Sequence, residues 1–123
     1  MTGSQAIIDA EQLLGLRELN QAGERDFVSE LIDLYCQQSP LLLGELEEAV
    51  KKAHFVAIEK LAHKFKGSSA NIGAVRLYQL CTELETQARE QQLAAMGELL
   101  QAILLAYGEA CKILREQWYQ KTA

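Results

Sequence analysis

The sequence predicts an all-α protein, an antiparallel up-down-up-down four-helix bundle with a short N-terminal capping helix. Three observations carry that expectation. There is one proline and there are few β-branched residues among many Leu, Ala, Glu and Gln, a balance that favours helix throughout. No stretch sustains the apolar–polar alternation of a strand, and no Asn-Gly or Asp-Gly pair marks a hairpin. Apolar residues recur instead at helical spacing in four long segments joined by short turns, which stack most simply as antiparallel neighbours.

Taken in order, residues 1–6 read as a frayed tail. Asp9 can cap a short helix ending near residue 18, with Leu13 and Leu14 facing inward. A turn over 20–23 leads to a long amphipathic segment over about 24–52. Its expected buried stripe is Phe27, Leu31, Leu34, Tyr35, Leu42, Leu46, Ala49 and Val50. Pro40 falls inside it, removing a backbone donor and crowding the preceding turn. The segment is therefore either one kinked helix or two helices, the second capped by Ser39.

Ala53 and His54 turn the chain into a helix over about 55–71, with His54 as a weak cap. Gly73 closes this helix as a left-handed C-cap over Ile72. A further helix over about 74–90 buries Val75, Leu77, Leu80, Cys81, Leu84 and Ala88. The last, over about 93–118, has the cleanest stripe: Met96, Leu99, Leu100, Ile103, Tyr107, Ala110, Cys111, Leu114 and Trp118. With 123 residues, one domain over 1–123 with its core at about 7–118 is expected.

Charge and composition narrow the function. A net charge of −5 and a pI near 5.0 argue against nucleic acid, whose binders carry a basic face. No secretory signal pattern opens the chain, and no apolar run approaches membrane-spanning length. Cys36, Cys81 and Cys111 are odd in number and lack metal-ligand spacing, so they read as small buried hydrophobes in a reducing compartment. A cytoplasmic monomer without a metal or cofactor of its own is the expectation.

One stretch breaks a local rule. Ile58, Leu61, Ala62 and Phe65 define a core face, which leaves His63 on roughly the opposite side, pointing to water. Gly67 follows one turn later inside the helical pattern, where glycine costs about 1 kcal/mol relative to alanine. Either something approaches the imidazole closely, or another helix packs tightly behind it. Lys60, Lys64 and Lys66 lie within a turn of His63 in an otherwise acidic chain, a local field suited to an anion such as a phosphoryl group.

The run His-x-Phe-Lys-Gly-Ser-Ser-x-x-Ile-Gly-Ala, from His63 to Ala74, resembles the signature of histidine phosphotransfer (HPt) domains, the carriers of multistep phosphorelays. The resemblance extends to Ile8-Asp9, Phe27, Pro40, residues 45–53, and Cys81 with Glu85, covering about residues 7–117. It implies one kinked helix through Pro40 and a lid formed by the N-terminal helix. It further implies that His63 takes a phosphoryl group from a receiver-domain phospho-aspartate and passes it to another receiver.

On the same resemblance, Lys66 and Lys64 would compensate phosphoryl charge, and Gly67 would admit the receiver's loops. The family places Gln or Glu at the position of Glu85, where a carboxylate could hold the Nδ1 proton of His63 and leave Nε2 as nucleophile. Val56, Lys60 and Ala70 would share in docking. Implied partners are response-regulator receivers and a sensor or hybrid histidine kinase, with Mg²⁺ arriving on the receiver. No nucleotide-binding loop is evident, so the chain is not expected to be an enzyme with ATP chemistry of its own. Two other readings remain at this point: a binding module that carries no phosphate, and an enzyme using His63 as a general base.

Overall fold

The helix boundaries follow from a few side chains and three left-handed residues. The computed structural model describes residues 6–21 and 23–120. Residues 1–5 of the tail expected over 1–6, and Ala22 within the expected 20–23 turn, lie outside the described residues. Helix α1 spans Ala10–Arg17, α2 Phe27–Lys51, α3 Phe55–Asn71, α4 Val75–Arg89 and α5 Met96–Ile113, the last extended by a π-helical turn over Leu114–Trp118. The described residues contain no strand.

Asp9 caps α1 by accepting from the Gln12 amide, and Asp26 caps α2 by accepting from that of Ser29. Asp26 rather than Glu24 starts α2, because Glu24 instead accepts from the Gln21 amide in the preceding turn. At Pro40 the helix continues unbroken. The proline ring is exposed, and the buried Ser39 hydroxyl next to it donates to the Tyr35 carbonyl at 2.6 Å.

Three helices end in the same hydrogen-bond pattern, in which the last carbonyls receive amides from a left-handed residue and the one after it. For α3 the left-handed residue is Gly73, at φ +74°, with Ala74 N–H donating to Ser69 at 2.8 Å and Ile72 buried beneath, as expected. For α2 and α4 it is Ala53 and Gln91, at φ +51° and +54°.

Helix α2 packs against α3 and α5, and α4 packs against the same two, giving an antiparallel four-helix ring. Its core includes Ile32, Leu46, Ile58, Phe65, Leu77, Leu84, Met96 and Ile103. Helix α1 closes the end where α3 stops and α2 starts. The Asp9 amide donates to Gly73 at 2.8 Å, the Gln12 side chain donates to Ala70 and Asn71, and Arg17 pairs with buried Asp26 and reaches the Trp118 carbonyl.

The expected buried stripe of α2 needs correcting. Its inward residues are Val28, Ile32, Tyr35, Leu43, Leu46 and Ala49, together with the polar Ser29 and Ser39, while Phe27 and Leu34 are exposed. Both serines are hydrogen-bonded, so polar residues occupy core positions that apolarity alone would assign to their neighbours. Leu14 likewise faces solvent, because an eight-residue lid rests on one side only and Leu13 fills that side. His54 takes the N-cap position of α3, but its ring makes no capping bond.

Candidate functional site

Phe65, Ala62 and Ile58 are fully buried and fix the rotation of α3. Phe65 stacks on Tyr35 of α2 at 5.9 Å and meets Tyr107 of α5 edge-on at 6.0 Å, while the Tyr35 hydroxyl bonds the buried Ser69 hydroxyl at 2.8 Å. With that face committed inward, His63 projects outward between α3 and α4, its side chain 71% exposed.

Glu85, on α4, is the group that meets it. Its side chain is only 7% exposed, and its two oxygens are divided between two partners. Oε2 lies 2.9 Å from His63 Nδ1, and Oε1 lies 2.5 Å from Lys66 Nζ. Burial pushes the Glu85 carboxyl up, but the hydrogen bonds from Lys66 and His63 outweigh it and hold the group below its ordinary range. The same contact raises Lys66, whose ammonium also sits 5.7 Å from the Tyr78 ring.

Because the folded value of Glu85 is depressed, the carboxylate is ionised at neutral pH. Its contribution is lost only as pH falls through that lowered value. An ionised carboxylate accepts and never donates, so the ring nitrogen facing it carries the proton. In the neutral ring the lone pair then belongs to Nε2, the nitrogen away from Glu85.

The groove around the ring is completed by Glu59 and Lys60 of α3 and by Thr82, Thr86 and Arg89 of α4. Arg89 is tied to Glu59 at 3.0 Å. Tyr78, Thr82, Glu85 and Arg89 recur at helical spacing, so the outward face of α4 was readable in the sequence once Glu85 was singled out. Arg89, Thr82 and Thr86 join the groove only because α4 packs beside α3, which the spacing around His63 does not show.

Of the candidates from the sequence, His63, Lys66, Glu85 and Lys60 come together in this groove. Lys64 does not: it lines a separate groove against α2, beside Glu45 and Ser68. Val56 is exposed two turns before His63, and Ala70 is half-buried two turns after it. A methyl group built on Gly67 would meet nothing within 4 Å, so no helix packs tightly behind it and its missing side chain clears space on the outside. Among the described residues no cluster of His, Cys, Asp or Glu could hold a metal ion, and no helix is long and apolar enough to cross a membrane.

Comparison with known proteins gives one consistent result. The family model described as Hpt domain matches residues 30–116. Histidine-containing phosphotransfer protein 1 of Arabidopsis thaliana is 30% identical over 105 residues, covering 84% of this chain and 68% of the relative. Pseudo histidine-containing phosphotransfer protein 2 of Oryza sativa subsp. japonica is 30% identical over 93 residues, covering 74% of this chain and 62% of the relative. The chain thus spans roughly two thirds of the length of these plant proteins. The crystal structure of histidine-containing phosphotransfer protein B (HptB) from Pseudomonas aeruginosa PAO1 superimposes with a TM-score of 0.84 at 28% identity, covering 95% of this chain and all of that one.

Proposed function

This chain belongs to the Hpt domain family, and from that premise we propose that His63 is the residue on which it carries a phosphoryl group. Membership brings the coarse role, a phosphotransfer carrier that meets histidine kinases and response regulators in a phosphorelay. The chemistry at the ring is our reading. The observation that carries it is an exposed imidazole whose Nδ1 is held by a buried, lysine-paired carboxylate.

Nε2 attacks the phosphorus of a receiver's phospho-aspartate in line. The N–P bond forms, the P–O bond to the aspartate breaks, and the carboxylate leaves. Attack puts positive charge on the ring, and Glu85 stabilises that charge through the Nδ1–H bond. Lys66 keeps Glu85 ionised and held in place. The same step in reverse delivers the group to a second receiver. Mg²⁺ carried by the receiver would compensate most of the charge on the transferring oxygens, and Lys60, which makes no ion pair among the described residues, would add to it (Lys64 faces elsewhere). On this reading the chain is a cytoplasmic carrier whose phosphoryl group comes from a receiver and not from ATP chemistry of its own.

Receivers dock on the His63 face, with Val56, Lys60 and Ala70 at its margins. The contact is small and transient, because one carrier serves at least two partners. One relative is named a pseudo histidine-containing protein, so similarity alone does not separate a carrier from a binding module. Incubation with a labelled phospho-receiver does. Label on the chain that is lost in acid and kept in base supports the carrier; a complex with no transferred label supports the module.

Two substitutions probe the parts. Glu85→Ala is expected to slow transfer about 10- to 100-fold, the worth of a charge-assisted hydrogen bond, without abolishing it. Glu85→Gln, which keeps an acceptor, should lose less. An unchanged rate in the alanine variant, measured by quenched-flow transfer, removes the orienting role. Gly67→Ala should stabilise the fold by about 1 kcal/mol, since α3 gains helix propensity in open space. It should nonetheless slow transfer, by about tenfold, if a receiver loop passes over that position. Faster or equal transfer would show that nothing approaches there.

A further inference from the structure

Two of the three cysteines are not the isolated buried hydrophobes that the sequence suggests. Cys36 on α2 and Cys111 on α5 are half-buried, and their sulfurs lie 3.4 Å apart across the α2–α5 seam. In a ring where α3 and α4 pair on one side, this seam is on the other, away from His63. The two residues are 75 positions apart in sequence. We propose that Cys36 and Cys111 are an oxidative modification site, closing to an intramolecular disulfide on reaction with a peroxide and stapling α2 to α5.

The surroundings divide the chemistry between the two sulfurs. Cys111 is brought down to about 7, chiefly by the hydrogen bond from the Cys36 thiol and against the opposing effect of burial, while the Arg115 guanidinium acts on both sulfurs. Cys36, donating to Cys111, is pushed up and keeps its proton. Arg115 is itself anchored by Asp33 at 2.9 Å. Cys81 is the contrast: it is fully buried on α4, and burial pushes its thiol up to about 12.

Hydrogen peroxide serves as the oxidant. The Cys111 thiolate attacks one peroxide oxygen and the O–O bond breaks. The departing hydroxide takes up a proton and leaves as water, and Cys111 becomes a sulfenic acid. The Cys36 sulfur then attacks the Cys111 sulfur, the S–O bond breaks, and the Cys36 proton leaves with the hydroxyl as a second water. Two thiols are oxidised to one disulfide and one peroxide is reduced to two waters. Closure requires the sulfurs to approach by about 1.4 Å, from 3.4 Å to a bonded length of about 2.0 Å.

Reaction of the purified full chain with stoichiometric hydrogen peroxide tests this, followed by alkylation of remaining thiols under denaturing conditions and peptide mapping. The expected product is monomeric, keeps one alkylatable thiol at Cys81 and yields a Cys36–Cys111 linked peptide. Its melting midpoint should rise by about 10 °C, because the bond closes a long loop in the unfolded chain, and dithiothreitol should reverse the rise. Cys81→Ser should behave like the parent, whereas Cys36→Ser should show no rise. Three free thiols after peroxide, a linkage through Cys81 or a disulfide between chains would each overturn the proposal.

Discussion

Replacing His63 with glutamine is expected to abolish phosphoryl acceptance, by more than about 1000-fold, and to leave the fold untouched. The ring projects into solvent and contributes no core contact, so the melting temperature should stay within about 2 °C of the parent. Glutamine retains an N–H that can reach Glu85, which avoids leaving the buried carboxylate with a lost partner. What it lacks is a nitrogen lone pair able to form an N–P bond. Transfer from a phosphorylated receiver, followed beside a thermal melt, reads both quantities. Label on the variant at the parental level would place the nucleophile on another residue.

Phe65→Ala has the largest expected effect on stability, a loss of about 3–5 kcal/mol. The ring is fully buried two residues after His63 and touches aromatic partners on two other helices, so its removal opens a cavity where α2, α3 and α5 meet. Collapse around that cavity is limited, because Tyr35 is tied to Ser69 by its hydroxyl. For a domain of this size the melting midpoint should fall by about 10–20 °C. Phe65→Leu, which refills part of the space, should lose less than half as much. A loss under about 1 kcal/mol in the alanine variant would mean that α3 is oriented by something other than this cluster.

The site was more legible in the sequence than the packing that builds it. His63 stood out because the apolar spacing of Ile58, Ala62 and Phe65 settles which way α3 faces, and that spacing survives folding unchanged. The end of α3 was also readable, since a glycine is the usual residue at a left-handed cap. The ends of α2 and α4 carry no such mark. Ala53 and Gln91 adopt the same conformation against their own preference, held there by the bonds that follow.

Apolar spacing turns Phe27 and Leu34 inward with Leu31 and Tyr35 on the first half of α2, because it cannot show that Ser29 and Ser39 find partners inside. The resemblance favours Lys66 over Lys64 beside the histidine, but periodicity alone does not separate them. Lys64 and Lys66 follow it by one and three residues, but of the two only Lys66 turns toward α4 and Glu85. The spacing of the cysteines in sequence gave no sign of a pair, because Cys36 and Cys111 meet only when α5 returns beside α2.

In the proposed reaction Nε2 is the nucleophile, on a ring whose other nitrogen is held by Glu85. The decisive experiment is an NMR correlation between phosphorus and the ring nitrogens of isotope-labelled histidine, recorded after transfer from a phosphorylated receiver. Phosphorus coupled to Nε2 of His63, with the Nδ1 proton still present and hydrogen-bonded, is the expected result. Phosphorus on Nδ1, or on no histidine nitrogen, would contradict it.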